Sequence, residues 1–332
     1  MSNKKNLSFT ESIEDRFGEF IVYDESKDKV DCISTGSVSL DSSTGISGIP
    51  LGKFTQIDGV ESSGKTTLAL SICKNAIEKG YKILYDDSEN TLDYSYAKSI
   101  IGEFDNSLFT LVQPETAEQA LEIAENGIES DEFKLIVLDS VGALSPMKEK
   151  EDDFGDANVA LLPRLISKFL RRNAFLVRSK NISFVFINQV RAKIGSYVPS
   201  FEVPGGHALK HILSLRISLN RATDIKQGEE IIGINTKFVI RKNKLASPFK
   251  SFTVPIIFGQ GIDYYRDLIN FTEMLGILDK RGPYYTFEGS TLGSGMVNTI
   301  EYLKNNKPTL DRLIEVCYTS THNIRTEEVV EE

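Results

Sequence analysis

Gly59-Val60-Glu61-Ser62-Ser63-Gly64-Lys65-Thr66-Thr67 decides how the rest of the chain is read. The stretch fits G-x-x-x-x-G-K-[ST] and stands between an apolar run at 54–58 and an apolar-periodic segment at 67–79. Those neighbours predict a strand before it and a helix after it, the helix ended by Gly80. In such a loop, glycines let backbone N–H groups curl around a polyphosphate, and the helix N-terminus adds its positive end. Lys65 would place its charge on the β- and γ-phosphates, and the Thr66 hydroxyl would ligate Mg²⁺.

Outward from the loop, strand-length apolar runs recur at 81–87, 108–112, 133–140 and 182–189, with helical patterns between them. Thr116 and Gln119 make a capping box ahead of Ala117, Ala120, Leu121, Ala124 and Ile128, which share one helix face. The helix expected at 162–177 turns Leu165, Ile166, Phe169, Leu170, Leu176 and Val177 inward and presents Arg164, Lys168 and Arg171 on its other face. This alternation predicts a mostly parallel sheet covered by helices on both faces. After Leu213 the rhythm changes to strands at 214–220, 236–243 and 251–258 without long helices, an antiparallel extension. A small mixed unit follows from about residue 262, and 327–332 is a short acidic tail. The start of the chain offers one amphipathic helix at 9–17 and a strand at 19–23, too little core to stand alone.

Two further acids gain meaning from the loop. Leu135-Ile136-Val137-Leu138-Asp139 is an apolar strand ending in a carboxylate, and beside a phosphate loop Asp139 is the expected acid on the Mg²⁺ side. Glu89, just past the strand at 81–87, would lie on the same sheet edge and could orient an attacking water. Asp86 and Asp87 rival it on spacing alone.

Composition bounds the rest. Of 332 residues 40% are hydrophobic and 26% charged, enough for a sizeable core, and no apolar run is long enough to predict a membrane span. Cys32, Cys73 and Cys317 are widely spaced, which suits a reduced cytoplasmic protein rather than a disulfide framework or zinc module. His207 and His211 share a helix face but lack a third ligand nearby. The net charge of −9 argues against a nucleic-acid partner until its distribution is followed. Between Lys98 and Lys134 there is no basic residue, and between Asp156 and Glu202 there is no acid. The second interval holds Arg164, Lys168, Arg171, Arg172, Arg178, Lys180, Arg191 and Lys193, a candidate nucleic-acid track.

The chain resembles the RecA-type recombinases over nearly its whole length. The resemblance is carried by Ile33-Ser34-Thr35-Gly36-Ser37-Val38-Ser39-Leu40-Asp41, the loop at 59–67 and Asp87-Ser88-Glu89-Asn90-Thr91-Leu92-Asp93. It continues in Leu138-Asp139-Ser140-Val141-Gly142-Ala143-Leu144, Phe186-Ile187-Asn188-Gln189-Val190-Arg191, Gly205-Gly206-His207-Ala208-Leu209-Lys210 and Lys242-Asn243-Lys244. It implies an α/β fold: a P-loop NTPase core of RecA type with a mostly parallel central sheet at 29–262. An N-terminal helix-strand oligomerisation arm at 1–28 and a small C-terminal α+β domain at 263–332 complete it.

Residue by residue, the resemblance implies an ATP site of Gly59, Glu61, Ser62, Ser63, Gly64, Lys65, Thr66 and Thr67, with Asp93 and Tyr96 on the adenine. Thr66 and Asp139 would hold Mg²⁺, Glu89 would be the catalytic glutamate, and Gln189 would sense the γ-phosphate. Lys242 and Lys244 would reach across a subunit boundary to the neighbour's ATP. Arg164, Ser167 and Arg171 would contact DNA first, and Arg191, Lys193, Ile194, Gly195, Gly205 and Gly206 second. The implied activity is that of a DNA-dependent ATPase of recombination and repair. It would form helical filaments of itself on single-stranded DNA, pair them with double-stranded DNA, and stimulate self-cleavage of a LexA-type repressor in the SOS response. A ring-forming DNA helicase or translocase is the alternative on the same core, and Lys242-Asn243-Lys244 argues against it, since ring motors usually present an arginine there. His211 stands where the family usually has an aromatic residue that couples subunits.

Overall fold

The computed structural model describes residues 8–17, 30–153, 160–192 and 201–327, giving the backbone alone at residues 10, 14, 17, 191–192, 201–202 and 321–327. Two compact units divide between Asp31 and Cys32. In the first, helix α1 (Phe9–Phe17) has the bounds read from its periodicity. Its first turn is closed reciprocally: the Glu11 N–H donates to Ser8 Oγ at 3.2 Å and the Ser8 N–H to Glu11 Oε2 at 2.7 Å. The strand expected at 19–23 and residues 328–332 of the acidic tail lie outside the described residues.

The second unit is built on a nine-stranded sheet. Its strands are β1 (Lys53–Gly59), β2 (Lys82–Asp87), β3 (Phe109–Val112), β4 (Phe133–Asp139), β5 (Ser183–Gln189), β6 (Leu215–Gln227), β7 (Glu230–Asn243), β8 (Ser251–Ile257) and β9 (Gly261–Ile262). The spatial order is β9-β8-β7-β6-β1-β5-β4-β2-β3. Neighbours from β6 through β3 run parallel, and β7, β8 and β9 add antiparallel; of the antiparallel extension expected after Leu213, the first strand, β6, instead joins β1 in parallel and the extension begins at β7. The β6–β7 hairpin runs well beyond the expected 214–220 and 236–243, its outer half held by backbone pairing where β6 is mostly exposed and shows no apolar alternation.

Helices cover both faces. After α2 (Val38–Thr44), α3 (Lys65–Glu78) and α4 (Tyr94–Ile101) pack on the face formed by Ile57, Ile83, Tyr85, Val137 and Ile187. The opposite face, with Phe54, Leu84, Ile136, Leu138 and Phe186, takes α5 (Ala117–Ser130), α6 (Leu161–Ser179) and α7 (Gly206–Ile212). Strands buried on both sides read as unbroken apolar runs, as in Leu135-Ile136-Val137-Leu138, because each face needs its own apolar half. At α5 the Thr116 hydroxyl accepts from the Gln119 N–H at 3.2 Å, and Gln119 Oε1 accepts from the Glu115 N–H at 3.0 Å.

Register fixes where chemistry can sit. Gly59 pairs with Gln189, and Asp87 pairs with Asp139, so β1, β2, β4 and β5 deliver these residues to one edge. The carboxyl ends of parallel strands form that edge, the usual place for a ligand in an open α/β sheet.

The remaining chain forms α8 (Tyr264–Met274), a three-stranded antiparallel sheet (Asp279–Arg281, Tyr284–Phe287, Ser290–Ser294), α9 (Gly295–Asn305) and α10 (Lys307–Glu327). Its core, including Leu268, Phe271, Tyr285 and Leu313, takes in Val38 of α2. Polar groups bind the same joint. Asp267 accepts from the Ser37 hydroxyl at 2.8 Å, the Ser39 hydroxyl at 2.5 Å and the Ser39 N–H at 3.1 Å. Nearby, Asp41 accepts from the Ser34 hydroxyl at 2.6 Å, the Thr35 hydroxyl at 2.7 Å and the Thr35 N–H at 2.9 Å.

Candidate nucleotide and nucleic-acid sites

The loop between β1 and α3 is shaped by its glycines. Gly64 precedes α3 at φ +93°, in the left-handed region. A Cβ on Gly59 would lie 2.4 Å from the Leu219 carbonyl oxygen and 2.6 Å from Ser63 Oγ, so the loop seats against β6 with no room for a side chain. Lys65 Nζ and Ser63 Oγ both donate to the Val60 carbonyl at 2.8 Å, holding the loop curled. Glu61 and Ser62 are exposed at its crest. Burial lowers the Lys65 ammonium pKa, while Asp139, Glu89, Glu61 and Asp58 oppose that shift.

Tyr96 comes back onto this helix, its hydroxyl 2.8 Å from Thr67 Oγ1. Asp93 starts α4 by accepting the Ser95 N–H at 2.7 Å and its hydroxyl at 2.6 Å, which hold the exposed carboxyl below its usual range.

Beside the loop, Asp139 Oδ2 accepts the Thr66 hydroxyl at 3.0 Å and the Tyr85 hydroxyl at 2.7 Å. Burial pushes Asp139 up to about 6, opposed by those two bonds. Glu89 Oε1 accepts the Ser140 hydroxyl at 2.6 Å and Gln189 Nε2 at 2.9 Å, and the Glu89 N–H donates to the Asp139 carbonyl at 3.3 Å. Hydrogen bonds thus tie Thr66 to Asp139 and Gln189 to Glu89, with Lys65 close enough to feel both acids. Of the rivals, Asp87 is tied into the scaffold. Asp87 accepts the Thr91 and Leu92 N–H groups at 3.3 and 3.0 Å and Gln113 Nε2 at 3.0 Å. Asp86, on the opposite face of β2 from Tyr85, accepts the Ser88 hydroxyl at 2.5 Å and is pushed up to about 7 by burial.

The donor chemistry fits a hard cation. Thr66 Oγ1 and the Asp139 carboxylate offer oxygen donors side by side, and among the described residues no cluster of three or more His, Cys, Asp or Glu side chains could hold a metal. Two protein oxygens, completed by phosphate oxygens and water, are what Mg²⁺ ordinarily accepts.

Lys242 and Lys244 at the end of β7 hydrogen-bond to the end of α7 rather than to the phosphate loop. Lys242 Nζ donates to the Lys210 and His211 carbonyls at 2.8 and 3.1 Å, and Lys244 Nζ to the His211 carbonyl at 3.2 Å. Burial and Lys244 both lower the Lys242 pKa.

The basic track divides in three dimensions. Arg164, Ser167 and Arg171 line a groove of about 320 Å³ with Pro163, His207 and Ala208, and Arg171 Nη1 donates to Ser167 Oγ at 2.9 Å. Lys168 and Arg172 face the other way, into a groove with Glu118, Glu122, Glu125 and Glu129 of α5. There Arg172 Nε meets Glu125 Oε1 at 2.9 Å, while Lys180 Nζ donates to the Glu129 carbonyl at 2.6 Å. The acidic and basic stretches of the sequence therefore partly spend their charge on one another.

Lys193, Ile194 and Gly195 lie outside the described residues. Arg191 is described by its backbone, in a two-residue strand paired with Phe201–Glu202. Gly205 and Gly206 stand at φ +104° and +75°. A Cβ on Gly205 would lie 2.6 Å from Leu209 Cδ2, and one on Gly206 would lie 3.1 Å from Pro163 Cβ. The fold of the chain itself requires these glycines.

Sequence reasoning assigns no site role to Tyr85, Ser140 or His207, which the structure places at Asp139, at Glu89 and beside the basic groove. Tyr85 offers one signal, a hydroxyl in an otherwise apolar strand core, but its partner is 54 residues away.

Comparison with known proteins completes the picture. A family model described as the RecA N-terminal domain matches residues 5–263, and one described as the RecA C-terminal domain matches 266–316. Curated relatives named Protein RecA include that of Campylobacter hominis, 40% identical over 319 residues, which cover 94% of this chain and 91% of the relative. That of Ectopseudomonas oleovorans is 39% identical, covering 91% and 87%. That of Wolinella succinogenes is 43% identical, covering 84% and 80%. Among solved structures, the RadB recombinase matches with a TM-score of 0.55 and 24% identity, covering 69% of this chain and 98% of that one.

Proposed function

The chain belongs to the RecA family, and from that premise we propose an ATP-dependent recombinase that assembles on single-stranded DNA and pairs it with homologous duplex. The observation that carries the proposal is the meeting of Glu89 and Gln189 at 2.9 Å on the edge that also holds Lys65, Thr66 and Asp139. Gln189 is the last residue of β5, and the chain beyond it leads through 190–204 to Gly205, Gly206 and α7, whose His207 and Ala208 line the basic groove. One hydrogen bond thus links the group that would orient water to the segment that would touch DNA.

ATP with Mg²⁺ would supply the scissile phosphoanhydride and shield its charge. Lys65 and the loop at 59–67 would bind the phosphates, Thr66 and Asp139 would hold the metal, and Asp93 and Tyr96 would flank the base. Glu89, aimed by Ser140 and Gln189, would accept a hydrogen bond from the attacking water. Lys242 and Lys244, presented together beside the end of α7, would reach a neighbouring subunit's nucleotide. Arg164, Ser167 and Arg171 would hold the DNA backbone with Arg191, Lys193, Ile194 and Gly195, on a turn shaped by Gly205 and Gly206. The segment at 1–28 would dock on the next subunit, building a filament from a heterologous interface. Such a filament would also serve as a platform for self-cleavage of a LexA-type repressor in the cytoplasm.

No helix among the described residues is long and apolar enough to cross a membrane. Electron microscopy of the protein with ATP and single-stranded DNA tests the proposal. Open helical filaments are expected, and closed rings would replace it with a helicase or translocase reading.

A further inference from the structure

The Tyr85 ring lies wholly inside the molecule, on the α3 side of β2, and its hydroxyl donates to Asp139 Oδ2 at 2.7 Å. The same oxygen accepts the Thr66 hydroxyl at 3.0 Å. We propose that Tyr85 is a positioning residue for the divalent metal, its hydroxyl fixing the Asp139 carboxylate in the orientation that serves a cation beside Thr66. This rests on Thr66 and Asp139 being the metal side of the site.

Two donors from two separate elements, β2 and α3, converge on one carboxylate oxygen. A carboxylate held by Thr66 alone could swing about that single bond, but the second donor fixes its plane and leaves Oδ1 outside the arrangement. The phenol is itself fully enclosed. Its ring packs on Phe109 at 5.8 Å between centroids, and Phe109 packs on Phe104 at 5.6 Å. A rigid ring supporting a ligand is how an outer residue sets metal geometry without touching the metal. A purely structural phenol would need an acceptor too, and any backbone carbonyl would satisfy it. Here it takes the oxygen shared with Thr66.

The test is Tyr85→Phe, which removes the hydroxyl and keeps the ring. Binding of a fluorescent ATP analogue to the full chain is titrated with Mg²⁺, with a parallel measurement in EDTA and a melting curve to verify the fold. The half-saturating Mg²⁺ concentration should rise about tenfold, the size usual for loss of a residue that supports a metal ligand. Metal-free nucleotide binding should match the parent. In an Asp139→Ala background Tyr85→Phe should add nothing further, since it acts through that carboxylate. An unchanged Mg²⁺ midpoint, an equal loss in EDTA, or full additivity with Asp139→Ala would overturn the proposal. If Asp139→Ala alone leaves the Mg²⁺ midpoint unmoved, the metal-side assignment itself fails and takes the role of Tyr85 with it.

Discussion

Two groups of acids among the described residues, one at the joint between α2 and α8 and one at the sheet edge, are treated differently. At the joint between α2 and α8, both oxygens of Asp41 and of Asp267 receive hydroxyl or N–H donors from residues 34–39. Every donor comes from that one short stretch of chain, where Ser37 Oγ also caps α2 by accepting the Leu40 N–H. At the sheet edge, the donors to Asp139 and Glu89 are Thr66, Tyr85, Ser140 and Gln189, drawn from four separate elements or their ends, and Glu89 is only half-buried. A closed carboxylate holds structure together, whereas an open one keeps capacity for a ligand.

The sharpest way to break this contrast is to remove the open side. Glu89→Gln should lower ATP hydrolysis by at least about a hundredfold, the usual range for a lost general base, with the melting temperature near that of the parent. The variant should still hold ATP and DNA. Lys65→Ala should abolish turnover by another route, weakening nucleotide binding as well. Steady-state ATPase assays beside nucleotide-binding titrations decide both, and normal hydrolysis by Glu89→Gln would mean that the edge is no more catalytic than the joint.

The complementary substitution acts on stability. Asp267→Ala strands two hydroxyls and an N–H in a buried joint, at a cost of about 3 kcal/mol in urea unfolding, while the folded variant should bind ATP normally. Burial raises Asp267 from 3.8 to about 6 and Asp41 from 3.8 to about 7. The native state therefore binds more protons than the unfolded chain between those limits. The stability these groups contribute is present below about pH 4 and lost as pH rises through 6 to 7. Melting temperatures from pH 4.5 to 8 should fall along that window, and Asp267→Asn should flatten the slope. An unchanged slope would mean that Asp267 is ionised in the fold throughout.

How much of this was legible follows from the range of each interaction. The loop at 59–67 and the strand ending in Asp139 were readable because each is a local pattern tied to one element. The choice among Asp86, Asp87 and Glu89 was not readable from spacing. It depends on Asp87 capping the backbone at 91–92 and on the pleat turning Asp86 to the other face. Tyr85 escaped notice because strand pairing, not sequence, brings it to Asp139. The β6–β7 hairpin was underestimated because paired backbone, not side-chain alternation, carries its exposed end.

Lys242 and Lys244 test whether the open edge is completed by another copy of the chain. Each should lower turnover when changed to alanine while ATP still binds the monomer, because each would act on the neighbour's nucleotide. Mixing Lys242→Ala with Lys65→Ala should restore partial ATPase activity at hybrid boundaries. No restoration at any mixing ratio would confine the two lysines to capping α7, where their hydrogen bonds now lie.

The smallest expected effects lie on the basic track, where the same distinction between closed and open applies to cations. Arg172 is engaged by Glu125 and Lys168 shares its acidic groove, whereas Arg164 and Arg171 line the groove beside α7, where among the described residues no carboxylate is a neighbour. A cation already neutralised by protein displaces few counterions from DNA, so only the open ones should register in the salt dependence. Each arginine on a phosphate contributes roughly 0.7 to the slope of log affinity against log salt for single strands. Arg164→Ala and Arg171→Ala should each flatten that slope by about this amount on a homopolymer, and should do so equally on other sequences. Arg172→Ala and Lys168→Ala should leave it unchanged despite lying within one or two turns of the same helix. Equal flattening by all four variants would mean that DNA draws the α6 cations away from α5 on binding, and no flattening by any would move the DNA track off this helix.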